Sequence, residues 1–203
     1  MTNPPLPSVF HPQLSDARLT VVSQLLLEEL YATETDLVRE TDSGYTRGCT
    51  TFGRQRSRLV TEALSGKHPW LELRTGANDV VFAIGGIPCR FSNDDPRNPS
   101  KDAVLTASRF QMDFLEIAEQ GEPGRFCFVI DRGYSEDQEP RVVFLGFTPG
   151  GAVGCRWESG AVRTLRRADK TTPPKAIEVA KPAVAPKKRK KDSGDDAATA
   201  MSR

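Results

Sequence analysis

The order in which the hydrophobic period changes along the chain constrains its fold more than any other feature. In DARLTVVSQLLLEELYATETDLVRE, residues 16–40, Leu19, Val22, Leu26, Leu30 and Leu37 recur at the spacing of one helix face, with Ser15 or Asp16 able to cap it. Val21, Leu25 and Leu27 widen that face, so the helix over 16–39 is expected to pack on two sides or to be shared with a partner. DSGYTRGCTT interrupts the pattern with two glycines, and a second helix is expected from Phe52 to Leu64. From residue 70 the period changes to that of strands. WLELR, DVVFAI and IPCRF come first, the last two joined by Gly85-Gly86 as a hairpin. A helix over 101–120 follows, with Ala103, Ala107, Phe110, Phe114 and Ile117 as one stripe, and then RFCFVID, RVVFLGF and AVGCRWE.

That order predicts an α+β fold, a mixed or mainly antiparallel sheet of five to six strands packed by three helices on one face. Four prolines in residues 1–12 predict an extended, loosely held leader, and residues 13–167 read as a single domain. Residues 168–203 hold alanine, proline, lysine and small polar side chains with no apolar period. This composition cannot bury enough surface to offset the entropy of ordering, so a disordered tail is expected.

Charge divides the chain at the same boundary. Of 28 basic and 27 acidic residues, nine and five lie in 168–203, which makes the tail +4 and the body −3 although the whole is only +1. The body's bases are seventeen arginines and two lysines, Lys67 and Lys101, whereas the tail's are almost all lysine. Arginine suits fixed pairing with carboxylates, and lysine on a loose chain acts as a mobile point charge. Lys187, Lys188, Arg189, Lys190 and Lys191 form an unbroken run that suits sequence-blind contact with the phosphates of DNA or RNA. PKKRKK is also similar to single-cluster nuclear import signals, which implies a nuclear location if the source is eukaryotic and a cytoplasmic one otherwise.

Several chemistries lack their residues. Cys49, Cys89, Cys127 and Cys155 are 40, 38 and 28 residues apart, with only His11 and His68 to assist, so neither a metal site nor a histidine-based nucleophile is expected. The cysteines read as reduced small hydrophobes. No phosphate-cradling glycine loop is present, no cofactor is implied, and no stretch approaches the roughly 20 apolar residues of a membrane span.

Carboxylates leave one enzymatic route open. From Phe52 to Asp131 the order helix, three strands, helix, strand resembles the core of the restriction-endonuclease-like nucleases, the PD-(D/E)xK family, over about eighty residues. The resemblance implies a metal-dependent nuclease with an acid opening the second core strand, where Asp79 stands, and another from the first helix, where Glu62 stands. It also calls for an acid-x-lysine on the third strand; IPCRF has neither, and Arg90 is its only charge. A displaced set would use Asp94 and Asp95 beside Asp79, although two acids before Pro96 are also what a turn uses.

Five of the six strands carry one arginine each, Arg74, Arg90, Arg125, Arg141 and Arg156, which alternation could gather into an anion-binding face or pair with Glu72, Asp131 and Glu158. On the second helix Arg54 and Arg58 lie one turn apart. These features point to a non-catalytic accessory or regulatory binding protein of bacterial or phage type, of the size and charge layout common among defence and toxin–antitoxin components. Nucleic acid would be met by the tail run and by Arg54, Arg58, Arg90, Arg125 and Arg156, and a protein partner or a second copy by the helix over 16–39. The alternatives are the divergent nuclease, using Glu62, Asp79, Asp94 and Asp95, and a protein-interaction module that meets no nucleic acid.

Overall fold

A computed structural model describes residues 3–118, 121–133 and 138–160. The tail, with Lys187, Lys188, Arg189, Lys190 and Lys191, lies outside the described residues. The elements run α1 (Pro7–Phe10), α2 (Asp16–Asp36), α3 (Gly44–Leu64), β1 (Leu71–Thr75), β2 (Val81–Ile84), β3 (Ile87–Asn93), α4 (Asp102–Leu105), α5 (Arg109–Ile117), β4 (Arg125–Asp131), β5 (Arg141–Phe147) and β6 (Val153–Glu158). The six strands form one sheet in sequence order. β3 and β4 are parallel and all other neighbours antiparallel, so the sheet is mixed. The crossover that a parallel pair requires is supplied by α4 and α5.

Register decides what each face carries. Phe82, Cys89, Phe126, Phe144 and Trp157 fall on one face, where they meet Leu19, Val22, Leu26 and Leu30 of α2 and Leu59 of α3 in the main core. α2 is apolar on a wide arc because it packs on both the sheet and α3, so Leu19, Leu25, Leu26 and Leu27 are all buried inside the body. No exposed apolar stripe remains on it for a partner. The opposite face holds a smaller cluster, Cys127, Val129, Val143, Leu145 and Phe147, joined by Val104 of α4. Helices therefore pack on both faces, not one.

Three boundaries depart from expectation. α3 begins eight residues before Phe52, because Ser43 caps it by accepting the Thr46 amide at 3.1 Å and the glycines read as a break are carried inside the helix. The single helix expected over 101–120 is two helices, α4 and α5. A continuous helix would spend the Thr106 carbonyl on an amide one turn later; here it accepts Arg90 Nη1 at 3.0 Å, and Gln111 Oε1 takes the Ser108 amide as α5 starts. Ile117, expected in an apolar stripe, is 77% exposed. The leader, expected to be loose, is held: Pro7 is buried, the Pro5 carbonyl accepts the Arg156 amide of β6 at 3.0 Å, and the His11 ring packs edge-on to Phe126. The β2–β3 reversal is as expected, with Gly85 and Gly86 at φ of 57° and 87°.

Candidate functional site

The arginines of the strands share one face. Arg90 pairs with Cys127 in the parallel register, Cys127 with Leu145, and Leu145 with Arg156, which sets Arg90, Arg125, Arg141 and Arg156 on the side of the smaller cluster; Arg74 sits beside Glu72 on β1. Their charges are already engaged. Arg74 pairs with Glu72 at 3.2 Å, Arg141 with Asp131 at 3.2 Å and with Glu158 at 3.4 Å, and Arg156 Nε donates to Glu158 at 2.9 Å. Arg125 is buried, donates to the Val104 carbonyl and lies 4.1 Å over the Phe147 ring. Burial lowers its pKa from the usual arginine value, and the nearby Arg90 lowers it further. On α3, Arg54 holds Asp36 at 2.7 Å, and Arg58 lies between Glu28 and Glu62 at 3.7 and 3.9 Å.

Arg90 is the centre of the arrangement. Its residue is 6% exposed, and its Nε donates to Asp79 Oδ1 at 2.8 Å, with Nη2 on the same oxygen. Nη1 reaches the carbonyls of Thr106 and, at 3.4 Å, Asp102. This guanidinium thus ties the start of β2 and the end of α4 to β3. It floors a cleft of about 440 Å³ walled by Phe52, Asn78, Asp79, Phe91, Asp102 and Thr106. Phe52 stacks on Phe91 with centroids 5.3 Å apart, joining α3 to the same wall. Below it, burial pushes the Cys127 thiol up to about 12 in spite of the two arginines that pull the other way.

No family model, curated protein or solved structure matches this chain.

The four acids of the nuclease alternative lie in three separate networks, Asp94 and Asp95 sharing one. Asp94 accepts the amides of Ser100 and Lys101 at 2.9 Å each, and Asp95 accepts the amide of Arg97 at 2.8 Å, so both build the turn. Glu62 is buried at the far end of α3 beside Lys67 at 3.3 Å and His68 at 3.4 Å. Ten residues separate it from Phe52 at the cleft, about 15 Å of helix. Asp79 is at the cleft but shares its charge with Arg90. Among the described residues no three His, Cys, Asp or Glu side chains gather into a group able to hold a metal ion. The cleft's other polar residues, Asn78, Asp102 and Thr106, carry no local pattern that would have singled them out in the sequence. Only the pairing of β2 with β3 and the break between α4 and α5 brings them to Arg90.

Proposed function

We propose that this chain is a non-catalytic binding protein that meets nucleic acid through the run Lys187, Lys188, Arg189, Lys190 and Lys191 and serves as an accessory or regulatory factor whose body engages a protein partner. The observation that carries the reading is the ion pair of Arg90 with Asp79. A guanidinium occupies the place where the nuclease resemblance calls for an acid and a lysine, and it pairs with the acid meant to hold the metal. The body arginines Arg54, Arg58, Arg125 and Arg156 are likewise held by carboxylates, a carbonyl or an aromatic ring, which turns the proposal from the body to the basic run at 187–191 of the sequence.

The test is a titration of labelled double-stranded DNA, single-stranded DNA and RNA with the full chain and with a full-length variant whose five tail residues are all alanine, with Mg²⁺ present. The wild type should show a log-affinity against log-salt slope of roughly −4 to −4.5 that collapses in the variant. Binding that survives the substitution would move the contact to the body, and cleaved nucleic acid in the same samples would replace this reading with the nuclease.

A further inference from the structure

The sheet has two edges, β1 and β6, and only one of them is covered by a described segment. At β6 the leader lies against the edge, where the Pro5 carbonyl accepts the Arg156 amide at 3.0 Å. At β1 the register tells which backbone groups are left over. The Gly85 amide donates to the Trp70 carbonyl at 2.7 Å, so two residues further on Glu72 exchanges its backbone bonds with Ala83. Pro88, which has no N–H, can therefore stand on the other side of Ala83 without breaking a bond. Leu73 alternates with Glu72 and turns its N–H and C=O away from β2, and among the described residues nothing bonds to either. Such unpaired groups on an edge are a template for another strand.

Side chains on β1 choose which strand. Leu71 and Leu73 belong to the main core, whereas Glu72 and Arg74 stand on the opposite face, 46% and 40% exposed and 3.2 Å apart. Antiparallel pairing with β1 of a second copy, its twofold axis at Leu73, sets each Glu72 opposite the second copy's Arg74 and lets the two Leu73 residues exchange their free bonds. An axis at Glu72 or at Arg74 would set like charges face to face. The strand is thus complementary to itself in one register. A bulge between Leu73 and Thr75 keeps the pairing short, so the contact belongs to the small, transient class. Arg74 also borders a depression in which Ile117 is 77% exposed, so apolar surface adjoins the contact. We infer that two copies of this chain associate by pairing their β1 strands about Leu73, joining two six-stranded sheets into one. The contact does not involve the tail and stands or falls apart from the nucleic-acid reading.

Sedimentation velocity of the full chain tests it, at low ionic strength where charges across the contact are least screened. The wild type should pass from monomer to dimer over about 1–200 µM, as a small interface implies. Glu72→Arg alone and Arg74→Glu alone each set like charges across the contact and should weaken the dimer about tenfold or more. An equimolar mixture of those two variants should form a mixed dimer, because each chain then meets opposite charges at both positions. The double exchange Glu72→Arg, Arg74→Glu should restore self-association. Both side chains are exposed, so circular dichroism should be unchanged throughout. A wild type that stays monomeric would overturn the inference and leave the edge to an extended segment of another protein. A dimer indifferent to both single reversals, or a mixture that stays monomeric, would overturn it too. So would loss of the dimer in the variant with five tail alanines, because the tail would then be what joins the copies.

Discussion

Arg90 and its partners show how one side chain sets both the local fold and the character of the cleft. Replacing it with alanine removes from a nearly buried position the donor that three segments share, so we expect a loss of about 1–3 kcal/mol in urea unfolding. Asp79→Asn should cost less, about 1 kcal/mol or under, because the Asp79 side chain is 55% exposed and water screens its charge. The cysteines divide the same way by environment: Cys49 is exposed and the other three are buried. A thiol reagent added to native protein should label Cys49 at once and Cys89, Cys127 and Cys155 only on unfolding; fast labelling of a second thiol would contradict the burial. Local chemistry was legible in the sequence at this scale. The turn role of Asp94 and Asp95 followed from two acids before a proline, since such bonds reach only a few residues. The pairing of Arg90 with Asp79 was not legible, because it forms across a hairpin and required the register.

Among the elements, α3 is the one whose sequence and length disagree most. Gly48 and Gly53 sit inside it at ordinary helical angles, and a Cβ added at either would meet nothing within 4 Å. Alanine at each position should therefore stabilise the protein by about 0.5–1 kcal/mol, read as a raised midpoint of thermal or urea unfolding. Gly146 of β5 is the opposite case. A Cβ there would fall on Cys155 Sγ and lie 2.9 Å from Phe126 Cε1, so Gly146→Ala should cost at least about 1–3 kcal/mol. The strands were legible almost to the residue because their apolar runs are bounded by strong turn formers: RFCFVID and RVVFLGF are β4 and β5 as they stand. The helices were less so. Glycine weakens a helix without forbidding it, and the break between α4 and α5 is enforced by a strand arginine that no local window contains.

At the scale of the whole molecule, the buried thiols tie stability to alkaline pH. Burial raises Cys127 and Cys155 from the ordinary thiol value of 9.0 to about 12, and Cys89 well above it. Between pH 9 and 12 the unfolded chain has released these protons and the folded one retains them, so stability is complete below 9 and declines as pH rises through that window. A urea midpoint that held steady from pH 8.5 to 11 would contradict this; a Cys127→Ala, Cys155→Ala variant should flatten the decline. The α+β class and a sheet of five to six strands, mixed or mainly antiparallel, were readable from the order of periods. The parallel β3–β4 pair and the helix on the second face were not, because they depend on how the crossover returns. The first and last parts of the body also meet. Pro5 accepts from Arg156, and Asp16 accepts the Trp157 indole 2.7 Å away across 141 residues of chain. A ribosome making this protein therefore releases α2 long before the strand that anchors it exists. The fastening of Asp16 to Trp157 forms only when β6 emerges, so a message truncated before residue 157 yields a chain whose leucine-rich α2 lacks the tie at its N-terminal end.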